Sequence, residues 1–184
     1  MPMSSVTVNL AGMEQLQMAM QNLERKSLQV GWFDSANYDD NGTHVAGVAA
    51  LQEFGSKTAP PRPFFRPAIE DNKGKWSNLV ESGVNAMLEG NATVDQVMNG
   101  LGLTVVDDVK DKIIGPHLAL SPVTLALRKL KNDGYTVGKG LVGAVAGAVA
   151  RGETGAGQLG APSGNTTPLN DQGIMIATLT HEIG

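Results

Sequence analysis

The sequence predicts an α+β fold, a small antiparallel sheet packed against several helices, with a Gly/Ala-rich insertion. Three observations carry this expectation. Short strand-like stretches lie at Ser5–Asn9, Leu28–Phe33 and Ile174–Ile183, the first and last rich in β-branched residues. Longer stretches between them repeat apolar residues at helical spacing. Between Gly134 and Gly164, ten of 31 residues are glycine, a composition that predicts a flexible insertion over 134–165. With 184 residues in all, a single domain over 1–184 is expected.

The elements follow in order. Ser5–Asn9 alternates β-branched and polar residues and reads as a strand, broken at Ala11-Gly12. Met13, Leu16, Met20 and Leu23 give a helix to about Glu24, its methionines filling gaps in a core. Leu28–Phe33 is a second strand, with Gly31 as its weak point, and 34–42 is a loop. Thr43 is the expected cap of a helix carrying Val45, Val48, Leu51 and Phe54, stopped by Gly55. Pro67 is expected to open the next helix, which runs to about Glu89. Thr93 caps another, reaching about Ile114, in which Gly100 and Gly102 allow a kink or close packing. Its Asp107, Asp108 and Asp111 lie next to Lys110 and Lys112 and read as a solvated face with local ion pairs. Ser121-Pro122 starts a short helix that ends in basic residues. Ile174–Ile183 is the closing strand.

Composition narrows the chemistry. The 41% of apolar residues supply a core, but only 4% are aromatic, so that core is aliphatic. A net charge of −4 argues against a general nucleic-acid binder, which would carry a basic domain. The absence of cysteine excludes disulfides, thiol nucleophiles and zinc-thiolate sites. The first ten residues lack a basic stretch followed by an apolar run, so no export signal is expected. No membrane partner and no cofactor are expected either.

Two motifs imitate enzymes. Gly42-Thr43-His44-Val45-Ala46-Gly47 resembles the histidine segment of subtilisin-like proteases. Asn41 stands where that motif has its general base, and no nucleophile segment follows. Gly138-Lys139-Gly140-Leu141-Val142-Gly143 fits GxGxxG, yet only Tyr135-Thr136-Val137 precedes it and no acid follows before Glu153. His44, His117 and His181 lack metal-ligand spacing. The densest basic cluster, Lys57, Arg62, Arg66, Lys73 and Lys75, is diluted by Glu70 and Asp71. A hydrolase using His44 and a DNA-contacting accessory protein using Lys57–Lys75 are the alternative readings.

The densest stretch is Leu51–Ala68, LQEFGSKTAPPRPFFRPA. Pro60, Pro61, Pro63 and Pro67 fix φ and remove amide donors, so Ala59–Arg66 is expected to be a stiff extended arm. Arg62, Pro63, Phe64, Phe65 and Arg66 form a candidate subunit interface, with aromatic anchors and guanidinium groups on a rigid strip. The competing reading tucks the phenylalanines into the chain's own core.

A strand ending near Val30-Gly31, a helix ending Glu53-Phe54-Gly55, and Pro61-Arg62-Pro63-Phe64 leading into a long helix are together similar to a family of tailed-bacteriophage head–tail joining proteins, the neck or tail-completion proteins. Leu120-Ser121-Pro122-Val123-Thr124-Leu125 with Arg128-Lys129 resembles that family's proline-serine segment. Pro168-Leu169-Asn170-Asp171-Gln172-Gly173 resembles its segment before the last strand, with Gln172 in place of the usual Thr. The resemblance covers most of 28–131 and 166–184.

It implies a non-enzymatic virion protein forming a homo-oligomeric ring, hexamer or dodecamer, at the head–tail junction. Its partners would be copies of itself, connector- or portal-side proteins, tail tube or tail terminator proteins, and genomic DNA passing through the lumen. It would be located in the virion neck, and in the host cytoplasm during assembly. Leu141, Val142, Val145 and Val149 are a candidate assembly loop, ordered only in the ring. Replacing Phe64 and Phe65 by alanine separates the two readings of the arm: a folded subunit that fails to join heads to tails if they are anchors, an unfolded product if they are core.

Overall fold

The computed structural model describes residues 10–38, 42–57, 59–153, 168–169 and 173–184. The expected strand at Ser5–Asn9 lies outside them. Among the described residues there are seven helices and two strands: α1 (Leu10–Glu24), β1 (Leu28–Gly31), α2 (Val45–Phe54), α3 (Phe65–Leu88), α4 (Val94–Ile114), α5 (Pro122–Asn132), α6 (Lys139–Ala150), α7 (Ile174–Ala177) and β2 (Thr180–Ile183). The fold is α+β, with a two-stranded antiparallel sheet and helices packed against it.

Where the sequence reads as one domain, the chain divides into two compact units built from alternating segments. One takes residues up to Trp32, Arg66–Val109 and Leu179–Gly184; the other takes Phe33–Phe65 and Lys110–Thr178. In the first unit, β1 pairs with β2 in the register Leu28↔Ile183 to Gly31↔Thr180. Reciprocal amide bonds between Ser27 and Gly184, 2.9 and 3.0 Å, extend the ladder by one pair. Each strand has only four residues, too little to stand alone, and α4 supplies the support. The His181 ring lies so close to Gly102 that a Cβ there would fall 2.4 Å from its Cδ2, and its Nε2 is 3.1 Å from Asn99 Oδ1. Lys26 forms an ion pair with Asp95 at the start of α4.

α4 begins as the sequence predicts. The Thr93 hydroxyl accepts the Gln96 amide at 3.2 Å while the Gln96 side chain accepts the Thr93 amide at 2.9 Å, a reciprocal capping box. Val106, Val109 and Ile113 recur at helical spacing and are buried. α3 approaches α4 where Gly83 meets Val97. Asp108 is not the member of a local charge cluster that its neighbours suggest. Its carboxylate accepts Lys75 Nζ at 2.7 and 3.0 Å and Trp76 Nε1 at 2.7 Å, all from α3. At the far end of α4, the His117 ring Nε2 sits 2.8 Å from the Lys112 carbonyl and 3.2 Å from that of Ile113, satisfying oxygens the helix leaves unpaired.

Several boundaries differ from expectation. β1 stops at Gly31 rather than Phe33, and the expected strand at 174–183 is a single helical turn, α7, followed by β2. His44, not Thr43, occupies the cap position of α2, without a side-chain cap bond. α3 opens at Phe65, so Pro67 is its third residue; the missing amide still costs nothing in a first turn. In α5, Ser121 is the cap and Pro122 the first residue, as predicted, with the Thr124 amide 3.2 Å from Ser121 Oγ.

The clearest correction concerns 139–150. It is the helix α6, not a flexible loop, and Val145 is buried. Leu141, Ala144, Val145 and Ala148 share one face, the i, i+3, i+4, i+7 pattern that lets a helix pack. Glycine content obscures that pattern in the sequence. α5 and α6 form an antiparallel hairpin around the turn 133–138.

Gly102→Ala is expected to lose about 1–3 kcal/mol, because the new methyl must displace the His181 ring. Gly100→Ala, where no atom lies within 4 Å, should gain roughly 0.4–1 kcal/mol. Urea unfolding of both variants checks this; equal midpoints would contradict the packing of β2 on α4.

Candidate functional site

The proline arm and the end of α2 form one clamp inside the second unit. Gly55 ends α2 at φ 78°, ψ −179°, a conformation essentially reserved for glycine. A Cβ there would also meet the Pro61 nitrogen at 2.9 Å. The chain then turns through Ser56, whose amide donates to Ala59 O at 2.9 Å and whose hydroxyl accepts the Ala59 amide at 3.1 Å. The arm returns alongside α2, with the Arg62 amide 2.7 Å from Gln52 O.

Two charged side chains then fix it from within. Glu53, buried at 5% exposure, accepts the Phe64 amide at 2.7 Å and the Phe65 amide at 2.9 Å on the same oxygen. These are the first amides of the helix that starts at Phe65, and a carboxylate there is favoured by charge-assisted bonding and by the helix dipole. Arg62, at 7% exposure, donates through Nε to Leu118 O at 2.9 Å and through Nη2 to Ala119 O at 3.3 Å. It thereby ties down the stretch between α4 and α5.

The predicted interface residues therefore divide. Phe64 is 1% exposed and Arg62 is buried, so neither presents a surface to another subunit as the arm stands. Phe65 is half-buried, its ring centroid 6.0 Å from that of Phe64. Pro63 and Arg66 are exposed. Phe64 lies buried in its own chain, and Arg62 serves backbone carbonyls of its own chain.

Sequence reasoning missed what this clamp turns outwards. The sequence marks α2 by Val45, Val48, Leu51 and Phe54. The buried residues are instead Val45, Ala49 and Glu53, four apart each time. Leu51 and Phe54 are exposed, at 57% and 69%. The signal was present as the spacing of 45, 49 and 53, but it required accepting a glutamate as an inward residue. Pro61 sits against Gly55, and Pro60, Pro61 and Pro63 are exposed as well.

The candidate assembly residues also divide. Val145 is buried, Leu141 and Val149 are half-buried and Val142 is exposed. α5 and α6 leave a cleft of about 390 Å³ between Leu130 and Tyr135 on one side and Leu141, Ala144, Val145 and Ala148 on the other. At the end of α6, Arg151 holds Glu153 through bonds of 2.6 and 3.0 Å, and that hydrogen bonding lowers the carboxyl's pKa below its ordinary value.

The two enzyme-like motifs lie at the starts of two helices. His44 is the cap residue of α2 and is exposed, and Asn41 lies outside the described residues. Gly138–Gly143 spans the start of α6, and Tyr135–Val137 before it is not a strand. Among the described residues no group of three His, Cys, Asp or Glu side chains is placed to hold a metal ion, and no helix is long and apolar enough to cross a membrane.

Glu53→Ala would strand two amides at a buried site and is expected to cost roughly 1–3 kcal/mol. Phe64→Ala should cost about 3–5 kcal/mol. Thermal unfolding measures both, and a near-neutral Phe64→Ala would show that the arm does not hold its ring inside. No protein-family model, curated protein or solved structure matches the chain.

Proposed function

We propose that this protein is a structural, non-enzymatic component of a tailed-bacteriophage virion, forming a homo-oligomeric ring at the head–tail junction through which DNA passes. The observation that supports it best is the clamp. The residues carrying the resemblance, Glu53-Phe54-Gly55 and Pro61-Arg62-Pro63-Phe64, are the ones that interlock through Glu53, Gly55 and Arg62. A motif of that kind serves rigidity rather than catalysis.

Rigidity suits a ring. A closed ring repeats one heterologous contact, in which one patch meets a different patch on the next copy. A strip held in place before docking loses little entropy on binding. Leu51, Phe54 and the exposed prolines form such a strip, with Phe64 and Arg62 as its internal fastening. In this reading the neighbours are further copies in a hexamer or dodecamer, a connector- or portal-side protein, and a tail tube or terminator protein.

Leu51→Glu with Phe54→Glu changes only exposed side chains. The variant is expected to fold, to fail to form rings visible by electron microscopy, and to leave heads and tails unjoined. Rings and joined particles at parental yield would remove the α2 edge from the interface. Absence of the wild-type protein from purified particles would remove the neck assignment itself.

A further inference from the structure

We infer that the cleft between α5 and α6 is the seat for Leu51 and Phe54 of a second copy of this chain. The inference rests on the proposed assembly of copies and adds the surface of the neighbour on which the α2 edge docks.

The hollow is apolar because of its walls. Leu130 and Tyr135 face Leu141, Ala144, Val145 and Ala148 across about 390 Å³. Ala144 and Ala148, one turn apart on α6, leave the depression that longer side chains would fill. Glu153 is the one charged residue lining the cleft among the described residues, and Arg151 already holds its carboxylate at 2.6 and 3.0 Å. A charged peptide therefore gains little there, whereas a neutral apolar side chain removes apolar surface from water on both sides of the contact.

The outer face of α2 has the matching chemistry. The only charged residue of that helix, Glu53, is buried, so the face it leaves outside is neutral. Leu51 and Phe54 lie three positions apart, as neighbours on the helix surface. They are 57% and 69% exposed, so neither is seated in its own chain's cleft. The bonds of Glu53 to the Phe64 and Phe65 amides fix the end of α2 before docking, which keeps the entropy cost of binding low.

Size commits the pair to the hollow. An apolar cavity of about 150 Å³ already takes benzene. A cleft of about 390 Å³ has room for the Phe54 ring and the Leu51 side chain together. Every copy carries both the projection and the hollow, so one copy's α2 edge meets a different patch on the next and the contact can repeat.

The absence of cysteine gives a direct test. Leu51→Cys and Ala144→Cys, made in separate full-length copies, put one thiol on each side of the contact. Mixed under mild oxidation they are expected to give a disulfide-linked dimer, while each variant alone stays largely unlinked. In sedimentation, the wild-type protein is expected to self-associate, and Phe54→Ala to weaken this by about 30-fold, the scale of one buried aromatic anchor. Phe54→Glu and Ala144→Glu, both at exposed positions, are each expected to be monomeric. Mixed, they should give a dimer and nothing larger, because one copy keeps its cleft and the other its Phe54.

A monomeric wild-type protein, undiminished assembly of either glutamate variant, or a mixture that stays monomeric overturns the inference. Should Ala144→Glu misfold by circular dichroism, the cross-link decides, and its absence is equally fatal. The neck reading is scored apart from this. Rings that form without the cross-link remove the cleft and leave that reading standing; a cross-linked assembly absent from purified particles keeps the cleft and removes the neck.

Discussion

The buried Glu53 carboxylate is the constraint on which the second unit's organisation depends. A charge removed from water is costly unless donors replace the water. Here the Phe64 and Phe65 amides do so, at 2.7 and 2.9 Å. They can reach Glu53 only if the chain doubles back directly after α2. That requires the positive φ at Gly55 and brings Pro61 against it. The same return places Phe64 inside and aims Arg62 at the carbonyls of Leu118 and Ala119. One side chain thereby links helix end, turn, arm and the next helix start.

The prolines act on a different part of the free energy. They restrict the unfolded chain and leave the arm few amides to satisfy. The carboxylate and guanidinium then choose among the few conformations that remain. What emerges is a strip with a charged, fully bonded inner side and an apolar outer side. Leu51 and Phe54 stay exposed on that outer side.

Local signals were legible wherever a short stretch decides its own fate. The Thr93 capping box and the Ser121-Pro122 start act within four residues, and both helices begin where those residues place them. Gly55 was legible as a stop, because few other residues tolerate that backbone. Illegible were decisions made by distant partners. Asp108 looks like part of a solvated acidic face until α3 delivers Lys75 and Trp76 to it. The inner face of α2 could not be read from the apolar residues that mark the helix, because its third member is a glutamate whose donors lie eleven and twelve positions ahead. α6 was misread because glycine lowers helix propensity while the packing of Leu141 and Val145 offsets it. The alternation of the two units along the chain leaves no mark in composition, since no linker separates them.

The pairing of β1 with β2 has a consequence for how the protein is made. Leu28 meets Ile183, 155 positions further along the chain. A ribosome adding about 5–20 residues per second needs roughly 8–30 s to reach the second strand after finishing the first. Throughout that interval Leu28–Gly31 lacks the strand it pairs with in the finished protein. The sheet is therefore a late event in the life of each new molecule, and the interval before it is when β1 is open to chaperones and to mispairing with a neighbouring nascent chain.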